Sequence, residues 1–267
     1  MIAVSIDIAH QNLSWYIAEL DTATGLWNLL DSTRASIHEV DKEGSVKGTQ
    51  NHNITKLADE LREFCQQELF DKFLKDKDVF FLVESQVSES VINQVLQLTF
   101  KTMAISNKSI KSCLGYKNVS SQSKFRALIE YFDYIVQITH RPNTFMLPSS
   151  NGMMKAASIE RVRTLVEIAE SEDQTLYNKL VSDGKLPRGF KEIFVPAFKK
   201  QSKIDDMCDT CLQWLAWLIL GCKIDEKSKK IANVGNKARK RIYETMLSDE
   251  DKKKTKEQPI INKKIKL

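Results

Sequence analysis

The stretch that decides the reading is MIAVSIDIAHQNLSW, residues 1–15. Val4, Ile6 and Ile8 are β-forming residues in the alternating pattern of a buried strand. Asp7 stands among them. A carboxylate inside an apolar strand is costly unless something pairs with it. The position therefore asks for partners from elsewhere in the chain.

Working outward, residues 12–21 read as a second strand. Gly25 marks the turn into a third, around residues 26–30 and continuing toward Val40. Residues 41–53 form a polar loop. Residues 54–74 carry helical spacing through Leu57, Leu61, Phe64, Leu69 and Phe73. VFFLV, residues 79–83, is an apolar run of strand length, and Glu84 follows it directly. Residues 87–104 return to helix. Residues 108–123 are polar and read as a loop, residues 124–139 as helix, and residues 144–147 as a short strand closed by Pro148. Residues 155–170 are helical, and residues 205–222 form an apolar helix with an acidic start. The first strands make an antiparallel hairpin, and the later ones, joined by helical crossovers, run parallel to the first. The expectation is an α/β fold: a mixed five-stranded sheet flanked by helices, with helical insertions, over residues 1–222.

Composition bounds the rest. An apolar content of 42% in 267 residues supports a sizeable core. No apolar run reaches membrane-spanning length. Five cysteines, an odd number, fit free thiols in a reducing compartment. A strand beginning at residue 2 or 3 leaves no room for a presequence. The expected location is intracellular, cytoplasmic ahead of mitochondrial. The nucleus stays open because of the lysine-rich end. Residues 223–267 hold 15 lysines and arginines against seven acidic residues, which leaves residues 1–222 with a charge of about −3. This basic tail reads as a flexible appendage, and a basic arm also suits a polyanion partner.

Four carboxylates share one placement, each where an element meets solvent. Asp7 lies in strand one, and Glu84 ends strand four. Asp206 and Asp209 open the last helix in KIDDMCDTCLQWLAW, residues 203–217, and residues three apart on a helix share a face. An acidic first turn is also what the helix dipole favours, and a glutamate after a strand is commonly solvated. The conjunction of order and spacing is what points to a site. Clustered carboxylates repel and need cations. All-oxygen donors suit Mg²⁺ or Mn²⁺ rather than zinc. Two such ions, roughly 4 Å apart, can hold the attacking water and the leaving oxygen of a phosphodiester. Asp205 is an alternative to Asp206, because it lies four residues before Asp209.

These segments resemble the motifs of the RuvC-like Holliday junction resolvases, in particular the poxvirus and fungal mitochondrial branch. SIDIAHQNLSW resembles the strand-one motif, with Asp7 and Asn12 at its Asp and Asn. FFLVESQ resembles the strand-four segment, with Glu84 at the acidic position and Gln86 two residues on. KIDDMCDTCLQWLAW resembles the final motif, with Asp206 and Asp209 at its acidic pair. The three occur in the family's order across residues 3–220. The resemblance implies an RNase H-like fold, two Mg²⁺ or Mn²⁺ per active site, and a homodimer that nicks branched DNA symmetrically at a four-way junction. It also implies a lysine near the site after strand five, for which Lys155 is the candidate. Two positions depart from the motif. Ala9 stands where the family has glycine, and Gln11 where it has a basic residue. Ala9 would restrict close backbone approach to a phosphate.

Other residues carry weaker signals. Lys108, Lys111, Tyr116, Lys117, Lys124 and Arg126 mix basic and aromatic character around the 108–123 loop, as a DNA-contacting loop would. Arg161 and Arg163 are further phosphate contacts. Cys208 and Cys211 lack a second ligand pair and read as packing residues, as do Trp214 and Trp217. His10 is a polar loop residue or a phosphate neighbour. The reading is therefore a divalent-metal nuclease with no membrane and no small-molecule substrate. Three alternatives stay open: a related nuclease acting on hybrids or flaps, a catalytically weakened junction-binding protein, and an actin-like ATPase or sugar kinase. Ala9 and the paucity of glycine, nine in the whole chain, speak against the last.

Overall fold

The strands are β1 (Ile2–Ile8), β2 (Asn12–Leu20), β3 (Trp27–Ser36), β4 (Asp78–Glu84) and β5 (Ser112–Val119). They form one sheet of order β3-β2-β1-β4-β5. β1, β2 and β3 are antiparallel neighbours, while β4 runs parallel to β1, and β5 to β4. This order with these directions is the RNase H-like arrangement. The computed structural model describes residues 1–8, 12–36, 54–85, 91–139, 151–201 and 203–220.

Among the described residues the α-helices are α1 (Ile54–Cys65), α2 (Val91–Ser106), α3 (Ser121–Thr139), α4 (Asn151–Glu170), α5 (Thr175–Ser182), α6 (Val195–Lys200) and α7 (Asp205–Leu220). None of them is long and apolar enough to cross a membrane. The helix expected over residues 54–74 changes pitch, because Gln66–Leu74 is π-helical. Its buried residues, Leu69, Phe70 and Leu74, are four and five apart, which suits the wider turn.

Strand alternation divides the core into two layers. Ile2, Val4, Ile6 and Ile8, with Val79, Phe81 and Val83, pack on one face against Leu57 and Leu61 of α1 and Leu96 and Phe100 of α2. Ala3, Phe80 and Leu82 face the other way, into a layer with Phe125, Phe132, Val162 and Trp214 of α3, α4 and α7. Each fully buried aliphatic or aromatic side chain contributes about 1.5–3 kcal/mol. The same period of two carries Asp7 and Glu84 to the α7 side, one at the end of each row.

α7 is pinned across this face. The Gln213 side chain donates to the Leu82 carbonyl at 2.8 Å. Trp214 lies 5.4 Å from Tyr16 and 5.5 Å from Trp27, ring to ring. Trp217 stacks on Phe80 at 5.2 Å. Gly115, opposite Phe80 on β5, is needed for this packing, because a Cβ there would come within 2.5 Å of the Phe80 ring.

The main correction concerns the fifth strand. The 108–123 segment read as a loop contains β5, whereas the strand expected over residues 144–147 lies outside the described residues. β5 has two glycine or asparagine positions, one lysine and mostly half-buried side chains, as an edge strand can. Its polarity hides it from a hydrophobic-pattern reading. The tail at 223–267 and the 41–53 loop also lie outside the described residues.

Candidate active site

Register brings the site together. Asp7 pairs with Ser14 on β2, and Ser14 pairs with Arg34 on β3. On the other side Ile6 pairs with Val83, so the next step along the strands places Asp7 beside Glu84. α7 begins above these strand ends. Its Thr210 hydroxyl lies 3.4 Å from that of Ser14, which anchors the turn carrying Asp206 and Asp209. The carboxyl ends of the parallel strands are where α/β sheets present ligand sites.

The electrostatics follow from this crowding. Burial pushes the half-buried Asp7 carboxyl well above its ordinary range, and the charges of Glu84, Asp206 and Asp209 push it the same way. Lys124 opposes them. Lys124, on α3 just after β5, is only 1% exposed. Its Nζ lies 2.5 Å from Asp209 Oδ1 and 3.7 Å from Glu84 Oε1. Burial works against this ammonium, but Asp209, Glu84 and Asp7 outweigh it, so its pKa is raised. Ser158 on α4 donates to the same Asp209 oxygen at 2.6 Å.

Asp206 has its own cation. Arg34 Nε donates to Asp206 Oδ2 at 3.0 Å, and Arg34 Nη2 donates to Asn12 Oδ1 at 2.5 Å. Lys203 stands 3.8 Å from the same Asp206 oxygen. Asp205 is engaged elsewhere, with Lys155 Nζ 2.9 Å from its Oδ2. Burial raises the Asp205 carboxyl, but Lys155 more than offsets that and the net shift is downward. Asp206, rather than Asp205, therefore joins Asp209, Glu84 and Asp7.

The donor chemistry fits hard divalent cations, since the set is all carboxylate oxygen and the raised Asp7 carboxyl marks a shortage of positive charge. As arranged, no three acidic, histidine or cysteine side chains among the described residues stand close enough to share an ion. Lys124 and Arg34 hold the two α7 carboxylates instead. Asp7, Glu84, Asp206 and Asp209 are the residues that would take a metal, with Lys124 giving way.

Several expected contacts lie elsewhere. Lys155 is on α4 and pairs with Asp205, within reach of the charges of Asp206 and Asp209, and the lysine that follows strand five directly is Lys124. Lys124 is thus a buried member of the carboxylate site rather than a loop contact to DNA. Lys117 is 8% exposed on β5. Lys111 pairs with Asp78 at 3.0 Å, at the far end of β4 from Glu84, and Lys108 lies on that same end. Arg161 is 1% exposed, its guanidinium 4.6 Å from the centre of the Phe125 ring and 5.6 Å from that of Phe132. It is a packing residue. Arg163 and Arg126 are exposed on α4 and α3. Gln86, Ala9, His10 and Gln11 lie outside the described residues. Cys208 and Cys211 are buried, and burial raises both thiols. Arg34 escaped the sequence reading. Its signal was register, two strands across from Asp7, which the hydrophobic pattern does not reveal.

Fold and site together define an RNase H-like α/β protein with a carboxylate cluster at the carboxyl end of its central strands. The chain is similar to the fowlpox virus Holliday junction resolvase, at 16% identity and a TM-score of 0.42, over 81% of this chain and 96% of that one. It is similar to the same resolvase in complex with substrate junction DNA, at 17% identity and 0.40, over 82% and 99%. It is also similar to Thermus thermophilus RuvC, at 9% identity and 0.41, over 83% and 98%. No protein-family model and no curated protein matches the sequence.

Proposed function

We propose that this chain is a divalent-metal-dependent endodeoxyribonuclease that resolves four-way DNA junctions by symmetric nicking as a homodimer. The observation that carries the proposal is Asp7, set beside Glu84 by strand pairing and under the charge of Asp206 and Asp209. The three sequence segments that resemble resolvase motifs supply these same four residues.

The cofactor proposed is Mg²⁺ or Mn²⁺, two ions per site, held by Asp7, Glu84, Asp206 and Asp209. When bound, such ions lower the pKa of an attacking water and neutralise the leaving oxygen. The chain's own residues prepare the site. Arg34, which also bonds Asn12, orients Asp206, and Ser158 orients Asp209. Lys124 neutralises Glu84 and Asp209 until a metal takes its place. A two-fold dimer would present one such site to each of two opposed strands of a junction.

The test is cleavage of a synthetic four-way junction with Mg²⁺, mapped on all four strands, beside an RNA–DNA hybrid and a flap. Paired symmetric nicks, lost in Asp7→Asn while junction binding survives, are the expected result. Equal rates on hybrid and junction would replace the junction reading with that of a general RNase H-like nuclease. Unchanged cutting by Asp7→Asn would overturn the mechanism.

A further inference from the structure

One register row crosses four strands at the site. Glu84 on β4 and Asp7 on β1 form its acidic end, Ser14 on β2 follows, and Arg34 on β3 closes it. Charge along the row therefore runs from negative to positive. Two strand spacings of about 4.8 Å put Arg34 roughly 10 Å from Asp7 in the sheet.

The start of α7 carries the same polarity. Asp206 Oδ2 has two cations on it, Arg34 Nε at 3.0 Å and Lys203 Nζ at 3.8 Å. The neighbouring Asp205 has Lys155 Nζ at 2.9 Å. Three cations thus face two carboxylates there, and the N-terminal end of the helix dipole adds to them. On the β4 side the balance is reversed, with Lys124 set against both Glu84 and Asp209. The acidic side is the one that would take metal. The cationic side has more positive charge than its carboxylates require.

The two cations on Asp206 are not equivalent. Arg34 makes the shorter contact and is held in place, with its side chain 18% exposed. Lys203 forms an i, i+3 surface pair with its side chain 49% exposed, and such pairs contribute about 0–1 kcal/mol. Lys203 can therefore leave Asp206 at little cost. Arg34 need not leave. Its bonds to Asp206 and Asn12 use two of the five N–H groups of a planar fork. Such a fork can bond a carboxylate and a phosphate oxygen together. The sequence adds a reason for a cation here. Gln11 stands where the resembled motif has a basic residue, and Asn12, the next residue, is the one that Arg34 Nη2 bonds.

We propose that Arg34 and Lys203 form a phosphate subsite on the β3 side of the carboxylates, which binds a backbone phosphate of the DNA strand next to the phosphate that is cut. The strand then crosses the start of α7 in one sense, with the scissile phosphate toward Asp7 and Glu84 and its neighbour over Arg34. As that neighbour arrives, Lys203 turns from Asp206 to it, while Arg34 keeps Asp206 and adds a bond. The subsite rests on the DNA-cleaving reading of the chain, but its test needs neither cutting nor metal.

The test is binding of a fluorescent four-way junction by the full chain in EDTA, followed by anisotropy over a range of salt. The double variant Arg34→Gln with Lys203→Gln is expected to reduce the slope of log affinity against log salt by about one. Single methylphosphonate replacements along the strand near the branch then locate the phosphate. In the wild type one position is expected to weaken binding about tenfold, as loss of a charged hydrogen bond does. In the double variant the same replacement has no effect. A role confined to holding Asp206 would change metal affinity and leave this coupling untouched. Circular dichroism and melting curves check the fold, and Lys203→Gln alone, with reduced coupling at the same position, carries the test if Arg34→Gln does not fold. A slope and a replacement profile shared by wild type and variants overturn the subsite. Coupling at that phosphate without cutting in Mg²⁺ removes the nuclease reading and leaves the subsite, and failure to bind junction or duplex overturns both.

Discussion

The Lys124 ammonium sits 2.5 Å from the Asp209 carboxylate, in a place where the side chain is 1% exposed. It is the internal cation of a site rich in negative charge. Breaking a buried ion pair by removing one partner costs about 3–5 kcal/mol, because the other charge is left without compensation. Lys124→Met is therefore expected to destabilise the metal-free protein by that order. Mn²⁺ should then raise its melting temperature more than it raises that of the wild type, since the ion no longer competes with an ammonium. Thermal melts with and without Mn²⁺ check this. An equal metal-induced gain in both proteins would mean that Lys124 and the ion do not share the site.

Asp7 sets a pH dependence. Its carboxyl is raised on folding above the ordinary 3.8 by burial and by its acidic neighbours. Between that value and the raised one, the folded protein keeps a proton that the unfolded chain has lost. The stability from Asp7 is thus full below 3.8 and declines as pH rises through the folded value. Asp78 and Asp205, both lowered on folding, act in the opposite sense and lose their contribution as pH falls below 3.8. In metal-free protein, Asp7→Asn should remove the declining arm and melt higher than the wild type at neutral pH. A variant melting lower there would contradict a strained Asp7.

Arg34 is a positioning residue. It fixes Asp206 from β3 while bonding Asn12, without itself being a candidate ligand. Removing partners that orient a ligand commonly costs 10–100-fold in metal affinity or activity. Arg34→Ala should weaken Mn²⁺ binding by about that factor in calorimetry, with a smaller loss in Arg34→Lys. Wild-type affinity in Arg34→Ala would place Asp206 outside the metal set.

Arg161 separates a packing role from a DNA contact. Its guanidinium lies between two phenyl rings, and a desolvated cation–π contact is worth about 2 kcal/mol or more. Arg161→Ala is expected to lower stability by that order while leaving the salt dependence of DNA binding unchanged. A slope reduced by about one would show a neutralised phosphate instead.

The carboxylates are legible in the sequence because each ends an element with a strong pattern. An apolar strand precedes Glu84, another surrounds Asp7, and an apolar helix follows Asp209. The order of the first four strands follows for the same reason. What the sequence hides is whatever depends on register or on edge strands. Serine, glycine, lysine and asparagine in β5 give no alternation, so the buried Lys124 just after it reads as part of a loop and Lys155 alone is singled out near the carboxylates. Arg34 lies in a strand of mixed polarity, and only pairing across β2 brings it to Asp206.

The order in which these residues leave the ribosome has a consequence of its own. Asp7 and Glu84 emerge early, but the helix bearing Asp206 and Asp209 must then dock across β1, β2 and β4, with Gln213 reaching the Leu82 carbonyl. Until that late closure, no nascent or prematurely terminated chain possesses the complete set of carboxylates. The activity proposed here would thereby be withheld during synthesis by topology.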